Sequence, residues 1–572
     1  MNTAIAFLLS MTFLISIGGL FLMVWGLAND QWGDGVAASK SIFAEGEVGR
    51  VEDPAATQEQ RADLREEKNA GELVVDQDEL DARRVYDRSS RRPVLWWLGS
   101  AVMWLMLGSV YGVVASLKLH LPDWLGGHEV LTFGRIRPAH LNVVAYGWCS
   151  MAGVGVGLWL IPRLFKTALR GRGFATAGAV IWNLGLLGGV TAILAGFSSG
   201  LEWLEFPWAV DVLLVVGGAL AAVPLILTVL QRRVHHLYVS AWYLIAALVW
   251  FPMLFVTGNL HHLFTGTEQA VLNWWFAHNV LGLWMTPLGL AAAYYLIPKI
   301  TGTPIYSYTL SLIGFWALAL FYSQVGIHHL IGGPVPTWLA TLSIVTSVMM
   351  VIPVVAVAVN HHMTVLPRWR MVLISPTLRF VVAGAIMYTL ASVQGSIEAL
   401  RTVNTVTHFT HYTVAHAHMG LYGFLSFILF GSVYFILPRL VGWEWPYAWA
   451  ISAHFWLVAV GFAIYFVALT IGGWLQGLAM LDAAVPFMES MALTVPYLTA
   501  RSVGGSLMTL GHLVFAVHFF MVLLRLGPRR ELPPEFALGR FVGGRAGVSK
   551  APDPASLPGI GPDPAMASEA RA

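Results

Sequence analysis

The sequence predicts an all-α, polytopic membrane protein. Hydrophobic residues make up 57% of the 572 residues and charged residues only 11%, whereas soluble domains carry about 25% charged residues. The mean hydropathy of the chain is +0.68. Long apolar runs account for the low fraction of charged residues and the high mean hydropathy. About 20 apolar residues are enough to cross a bilayer as a helix. We therefore expect a bundle of helices embedded in the lipid bilayer.

Three segments lie outside the main bundle in this interpretation. Residues 1–26 have no basic n-region and no small-residue cleavage site, so they predict a retained transmembrane anchor, with a cleaved signal peptide as the alternative. Residues 27–93 are charged and lack the apolar residues of a core, which predicts a largely solvated cytoplasmic linker. Residues 531–572 are rich in Pro, Gly and Ala and predict a disordered cytoplasmic tail.

Residues 94–530 hold twelve further spans. They are predicted near 94–118, 138–162, 174–198, 207–230, 237–258, 270–297, 306–330, 336–359, 375–395, 410–437, 447–471 and 504–524. Alternate loops between them are basic, with residues that include Arg163, Arg232, Lys299, Arg368, Arg439 and Arg525. By the positive-inside rule these loops face the cytoplasm.

The charge and the cysteine content exclude several classes of protein. A net charge of +2 gives no reason to expect nucleic-acid binding. The single cysteine, Cys149, excludes an internal disulfide, a CxxCH haem attachment and a cysteine-ligated iron–sulfur cluster. A redox metal in this chain must therefore be held mainly by histidine.

The histidines are concentrated at one depth of the bundle. His416 and His418 enter the same span about 200° apart around the helix, so they face opposite ways and predict two haems on either side. Imidazole is costly in hydrocarbon unless it has a partner. Six histidines from four spans lie in the outer third of their helices: His140, His278, His328, His329, His416 and His418. We interpret this common depth as a buried metal layer.

Ordered motifs carry a resemblance to a known family. They include Gly134-Arg-Ile-Arg-Pro-Ala-His140, Trp274-Trp-Phe-Ala-His278-Asn, Tyr306-Ser-Tyr-Thr-Leu-Ser311, Phe321-Tyr322-Ser-Gln-Val-Gly-Ile-His328-His329, Thr402-Val-Asn404 and the segment with His416 and His418. From about Phe133 to Gly505 the chain resembles the catalytic subunit of haem–copper oxidases, and the C-type (cbb3-type) cytochrome c oxidase in particular. The resemblance implies a twelve-helix bundle in a bacterial inner membrane that reduces O₂ to water and translocates protons.

The resemblance also implies roles for individual residues. The implied metal sites are copper on His278, His328 and His329, a high-spin haem b on His416, and a low-spin haem b on His140 and His418. Arg135 and Arg137 would pair with haem propionates. Tyr322 lies six residues before His328, about 9 Å along an α-helix. In the family this tyrosine is cross-linked to the ligand that corresponds to His278 and supplies an electron and a proton to break the O–O bond.

Further implied features concern protons and calcium. Tyr308, Ser311 and Tyr322 fall near one helix face, which predicts a proton route with Tyr295 near its start; a packing stripe is the alternative. Glu202 and Glu205 form a Glu-x-x-Glu pair in an outer loop. The family has such a pair near the propionates, the first member contacting calcium; a solvated loop carboxylate is the alternative.

The sequence departs from the family pattern at a residue beside the haem ligand. Gln394 stands before Gly395 where the family usually has a glutamate. A glutamine brings no charge, but we expect it to accept a hydrogen bond from the imidazole of His416.

Two other functions stay open at this point. A nitric oxide reductase shares the six histidines but needs a glutamate beside its second metal. Between Asp211 and Glu398 the only acidic residue is Glu268, which favours the oxidase. A non-catalytic haem protein would need only the low-spin pair. Because no c-type haem motif is present, electrons from cytochrome c are expected to arrive through membrane-anchored partner subunits that carry haem c.

Overall fold

A computed structural model describes residues 2–66 and 77–528, and the regular elements in them are all helices. Thirteen helices in these residues are long and apolar enough to cross a membrane, which confirms the all-α membrane fold. They are α1 (Ile5–Ala28), α2 (Asp81–Lys118), α3 (Phe133–Leu164), α4 (Arg172–Leu194), α5 (Trp208–Val229), α6 (Val239–Leu263), α7 (Thr267–Thr301), α8 (Tyr308–Leu330), α9 (Thr337–Arg368), α10 (Pro376–Glu398), α11 (His411–Val441), α12 (Ala448–Leu481) and α13 (Phe487–Leu523). The predicted tail, residues 531–572, lies outside the described residues.

Three helices form the centre of the bundle. In the most apolar stretch of each helix, the buried share of residues is 94% for α3, 89% for α7 and 100% for α11. In the other ten membrane-spanning helices it is at most 56%. Small residues let these helices approach closely. A Cβ atom on Gly153 of α3 would lie 2.7 Å from Leu288 of α7, and one on Gly289 of α7 would lie 2.7 Å from Phe424 of α11.

Each central helix contains a π-helical turn. These turns are Val143–Cys149, Val280–Met285 and Met419–Ser426. Each begins within three residues after a predicted ligand, namely His140, His278 or His418. A π turn adds a residue to the helical repeat and occurs frequently at functional sites. The backbone is therefore irregular at the depth where the sequence predicts the metals.

Five of the predicted basic loops lie at one end of the bundle. Lys299 and Arg439 both pair with Glu52, and Arg163 lies 3.5 Å from the hydroxyl of Tyr295, one turn before Lys299. Arg368 donates to the carbonyl of Thr301 and Arg525 to that of Val441. We call this end, with Arg163, Lys299, Arg368, Arg439 and Arg525, the basic end.

The prediction of a solvated linker is wrong for residues 29–66. This segment contains helices Gly35–Lys40 and Gln58–Glu66 and lies across the basic end. The side chains of Ile42, Phe43 and Ala55 are buried there. Composition misled the prediction because the segment builds no core of its own, and instead covers the ends of helices that already form one.

Buried ion pairs hold this segment in place. Glu47 accepts two hydrogen bonds of 2.7 Å from Arg83 and also pairs with Lys299. Asp53 accepts hydrogen bonds from Ser375 and Thr377 at the start of α10. Burial by itself raises the pKa of Glu47, but the ammonium of Lys299 and the guanidinium of Arg83 outweigh it and hold the pKa well below its ordinary value.

The first helix, α1, packs along the edge of the bundle. Its Thr12 hydroxyl accepts a 2.9 Å hydrogen bond from the side chain of Gln324 in α8, and Trp25 packs edge-on against Trp242 of α6. Only 11% of its most apolar stretch is buried. Most of this helix therefore faces outward, as an apolar anchor in lipid would.

Replacing Glu47 with glutamine should lower the melting temperature of the purified protein in detergent. The substitution leaves the buried ammonium of Lys299 without its nearest counter-ion, and breaking a buried pair in this way costs about 3–5 kcal/mol. The exposed Glu45 supplies the control, since Glu45→Gln should change stability by no more than about 0.5 kcal/mol. Because the pKa of Glu47 is lower in the folded protein than in the unfolded chain, Glu47 stabilises the folded state above about pH 4, and this stabilisation is lost in acid. Equal melting temperatures for the two variants at neutral pH would contradict the assignment.

Candidate metal centre

Three imidazoles converge at the end of α7 and α8 opposite the basic end. One ligand nitrogen from each of His278, His328 and His329 lies within 4.8 Å of the other two. Among residues 2–66 and 77–528, these three side chains form the cluster that could hold a metal ion. The cluster contains no carboxylate or thiolate. Three imidazole nitrogens suit copper and leave a coordination position open.

The end of α8 is not the α-helix that the sequence predicts. Residues Tyr322–Leu330 form a 3₁₀ helix, which has three residues per turn and rises about 2.0 Å per residue. Tyr322 and His328, six residues apart, therefore lie on the same face, about 12 Å apart along the axis. In an α-helix they would lie on different faces. The ring of Tyr322 is consequently 5.1 Å from the ring of His278.

A hydrogen bond orients the imidazole of His328, and stacking orients that of His329. The hydroxyl of Ser347 donates to the carbonyl of Ser343, so its oxygen accepts the Nδ1–H of His328 at 3.0 Å and leaves Nε2 with a lone pair. The ring of His329 stacks on Trp274 with centroids 4.3 Å apart. The Nδ1 atom of His278 is buried and has no hydrogen-bond partner in the described part of the chain, as an atom reserved for a metal would be.

A glycine that the sequence analysis did not single out determines the position of Tyr322. A Cβ atom on Gly282, in the π turn of α7, would lie 1.8 Å from the Tyr322 ring. Only a hydrogen at this position leaves room for the phenol beside His278. The sequence offered a signal, since Gly282 follows His278 by four residues, but periodicity alone does not say which side chain approaches it.

His416 and His418 point to different helices, as their spacing predicts. The ring of His416 lies against α10, where a Cβ atom on Gly395 would be 2.8 Å from its Cε1. The ring of His418 lies against α12, where the hydroxyl of Tyr465 is 3.1 Å from its Nε2. The two imidazoles are thus on opposite sides of α11.

His140 and His418 share one hydrogen-bonding arrangement. The Nδ1 of His140 lies 2.7 Å from the carbonyl of Gly108, and that of His418 lies 2.9 Å from the carbonyl of Val414. A carbonyl only accepts, so each Nδ1 carries the proton and each Nε2 presents a lone pair. In this tautomer the Nε2 atoms of His140 and His418 could bind haem iron. At His418 the iron would replace the hydrogen bond to Tyr465.

The expected hydrogen bond, from the imidazole of His416 to the amide oxygen of Gln394, is not formed. The Oε1 of Gln394 and the Nδ1 of His416 are both buried, and neither has a hydrogen-bond partner among the described residues. The reason is geometric, because the neighbouring Gly395 faces the imidazole and successive side chains of a helix diverge by about 100°.

The predicted outer arginines and glutamates all have hydrogen-bond partners within the protein. Arg137 makes a bidentate pair with Glu202, with distances of 2.6 and 3.1 Å, and Arg135 donates to the carbonyl of Leu194. Each oxygen of Glu202 thus accepts one hydrogen bond, and the calcium contact that the resemblance implied stays a prediction. Glu205 is buried beside it and accepts from Asn142. Burial, with a smaller contribution from Glu202, raises the pKa of Glu205 to about 7.

The residues of the predicted proton route do not form a continuous hydrogen-bonded chain. The hydroxyl of Tyr308 donates to the carbonyl of Leu237 and that of Ser311 to the carbonyl of Tyr308. Tyr295 lies at the basic end, 3.5 Å from Arg163. Among the described residues, no direct hydrogen bond joins Tyr295 to Tyr308 or Ser311.

Other buried tyrosines lie beside Tyr308 or next to one another. Tyr238 lies beside Tyr308 and donates to the carbonyl of Tyr294. The ring of Tyr294 stacks on Tyr243 at 5.8 Å. Sequence reasoning missed these residues because they belong to different helices, and a helical repeat relates only residues of one helix.

Comparisons with known proteins show the family of the chain. The family model described as cytochrome c and quinol oxidase polypeptide I matches residues 92–507. The cbb3-type cytochrome c oxidase subunit CcoN1 of Stutzerimonas stutzeri is 30% identical over 431 residues, which cover 73% of this chain and 91% of that protein. A cytochrome c oxidase subunit 1 homolog of Agrobacterium tumefaciens is 30% identical over 450 residues, with coverages of 76% and 83%.

Two further similarities are more distant. A nitric oxide reductase polypeptide of Stutzerimonas stutzeri is 26% identical over 443 residues, covering 73% of this chain and 91% of that protein. The cryo-EM structure of a heme-copper terminal oxidase dimer superposes with a TM-score of 0.65 at 18% identity and covers 78% of this chain and 86% of the other. This last similarity concerns the fold alone.

Replacing His329 with alanine should abolish stoichiometric copper binding while the haem spectrum persists. The variant leaves two imidazoles, which are too few ligands to retain the copper ion. Elemental analysis of the purified protein measures the copper content. The exposed His262 belongs to another adjacent histidine pair, so His262→Ala is the control and should keep the wild-type metal content. Full copper occupancy in His329→Ala would show that the three histidines do not form the site.

Proposed function

The chain belongs to the cytochrome c and quinol oxidase polypeptide I family, and on this basis we propose that it is the oxygen-reducing subunit of a respiratory terminal oxidase. It takes electrons that originate from cytochrome c, reduces O₂ to water within the membrane, and couples the reaction to proton translocation. The observation that carries this proposal is the convergence of His278, His328 and His329 without a carboxylate.

In this proposal the chain holds one copper ion and two haem b groups. The copper would be held by the three converging histidines, the high-spin haem by His416, and the low-spin haem by His140 and His418. The orphaned Nδ1 of His278 and the proton positions on His140 and His418 support these assignments. When bound, the metals supply electrons to O₂.

The protein side chains position the reactants and supply protons. Tyr322, held beside His278 by Gly282, is the proposed proton donor closest to the oxygen. The remaining donors of Arg135 and Arg137 would bind the haem propionates. A calcium ion at Glu202 stays a prediction, since each carboxylate oxygen keeps a lone pair besides the one that accepts from Arg137.

Protons are proposed to reach Tyr322 from the basic end. Tyr308 and Ser311 lie on α8 below Tyr322, and Tyr238, Tyr294 and Tyr243 continue the line of buried hydroxyl groups from neighbouring helices. Tyr295 is proposed to lie at the start of the route. Waters would have to bridge these hydroxyls, which is the usual arrangement where polar groups are more than 3.5 Å apart.

The environment and the partners follow from the same assignment. We propose that the protein lies in a bacterial inner membrane with the basic end in the cytoplasm, that residues 1–26 anchor it, and that residues 94–530 form the catalytic domain. Membrane-anchored subunits carrying haem c would deliver the electrons, because the single Cys149 excludes a CxxCH haem attachment in this chain.

Metal analysis and turnover together test the function. We expect one copper per two haems in the purified protein, with rapid O₂ consumption and slow NO consumption. Iron in place of copper, with NO turnover exceeding O₂ turnover, would instead make the chain a nitric oxide reductase. Haem without a second metal, and no turnover, would leave a non-catalytic haem protein.

The variant Tyr322→Phe should reduce O₂ turnover by about 10²–10⁴-fold, since it removes a positioned proton donor, while both haem spectra remain. Gly282→Ala should have a similar effect, because its methyl group displaces the Tyr322 ring. Gly99→Ala is the control, since a Cβ atom there meets nothing within 4 Å. Wild-type oxygen consumption in Tyr322→Phe would refute the role given to this residue.

A further inference from the structure

The proposed proton route begins with side chains that bulk water does not reach. Tyr295 and Tyr308 are only 2% and 4% exposed. A proton that enters from the basic end must therefore first bind a group nearer to the surface. That group has to meet water and also lie beside one of the two buried phenols.

His236 occupies such a position, in the loop between α5 and α6. Its side chain is half-buried, and its ring centroid lies 5.0 Å from that of Tyr308. The Nε2 atom of His236 is buried and has no hydrogen-bond partner among the described residues. An imidazole can accept a proton at one nitrogen while it releases one from the other, so it can act as a proton shuttle. His236 thus lies between water and the first phenol of α8.

The same loop holds the phenol of Tyr308 in place. Its hydroxyl donates a 2.6 Å hydrogen bond to the carbonyl of Leu237, the residue after His236. The hydroxyl oxygen keeps lone-pair capacity, with which it can accept another hydrogen bond. The ring of Tyr238, the next residue, lies 6.3 Å from that of Tyr308. Three successive residues of the loop therefore contact the start of the proposed route.

The N-terminal segment packs against this loop and fixes its backbone. The fully buried side chain of Gln31 accepts a 2.8 Å hydrogen bond from the N–H of Leu237 and donates one of 2.9 Å to the carbonyl of His235. A Cβ atom on Gly35 would lie 3.6 Å from the Cβ of Tyr308. The segment thus forms one side of the position that His236 occupies.

Two carboxylates of the same segment act on His236. Burial lowers the pKa of His236 and His235 adds to this effect, whereas the carboxylates of Asp30 and Asp34 raise it. Both carboxylates belong to exposed residues, and negative charge at a surface raises the local concentration of cations, protons included. Asp30 and Asp34 precede residue 92, where the match to the family model begins. The N-terminal segment therefore supplies this charge.

We propose that His236 is the group through which the proposed proton route takes up protons from water, and that Gln31, Asp30 and Asp34 complete this entrance. One ring nitrogen binds a proton from water while the other releases one toward the hydroxyl of Tyr308, through a bridging water where the groups do not touch. Only N–H and O–H bonds form and break, so no oxidant or reductant is needed. The proposal rests on the proposed function and describes the entrance of its single route.

The variant His236→Gln tests the entrance in the full complex. Glutamine keeps hydrogen-bonding groups but does not carry a proton at neutral pH. A pH-indicating dye in the medium measures proton uptake when the reduced complex reacts with O₂. We expect the uptake to slow about tenfold or more, because a positioned proton-transfer group contributes about 10²–10⁴-fold and water replaces it only in part. The haem spectrum should persist, and His235→Gln, at the adjacent exposed position, is the control and should match the wild type.

The pH dependence of uptake is a readout that a packing role would not change. The charged groups that act on His236 are His235, Asp30 and Asp34, and the phenol of Tyr308 faces its ring. In the double variant Asp30→Asn, Asp34→Asn the pKa of His236 should fall further, so that uptake declines at a lower pH than in the wild type. His236→Gln should abolish this difference between the presence and the absence of the two carboxylates.

Wild-type uptake in His236→Gln would overturn the entrance, as would loss of the haems from this variant or an unchanged pH profile in the double variant. Uptake can also be followed when the complex is reduced in the absence of O₂. If the wild type consumes no O₂ but takes up protons on reduction, and His236→Gln slows that uptake, the proposed function fails and the entrance stands.

Discussion

The high cost of placing polar groups in hydrocarbon governs this structure. Each imidazole, hydroxyl and carboxylate inside the bundle must find a partner or serve a site. The three central helices show how this is achieved. They are the most buried helices of the chain, and they carry His140, His278, His416 and His418 next to π-helical turns. Irregular backbone at this depth is tolerated because protein, and not lipid, surrounds it.

The same constraint explains the two ends of the molecule. At the basic end, residues 29–66 bring Glu47, Glu52 and Asp53 onto buried cations and hydroxyls. These residues lie outside the part of the chain that the family model matches, which begins at residue 92. The N-terminal segment therefore supplies carboxylates to Lys299 and Arg439, which lie within the matched residues.

Much of the site geometry depends on close backbone approach. Gly282 admits the ring of Tyr322, Gly395 admits that of His416, and Gly112 admits that of His140, where a Cβ atom would lie 2.7 Å from Cε1. Each glycine belongs to a helix different from that of the side chain it admits. The positions of the functional rings are thus set by packing between helices, and less by the helices that bear them.

The sequence by itself determined the membrane fold, the number of spans and the six histidines, because hydropathy and helical spacing act within one segment. The opposite orientations of His416 and His418 followed from the same spacing. Only the tertiary structure decided how the linker packs, why Tyr322 reaches His278, and which tyrosines approach Tyr308. These features depend on contacts between distant segments, on a 3₁₀ turn that α-helical periodicity does not predict, and on carboxylates whose charge is neutralised only by residues elsewhere in the chain.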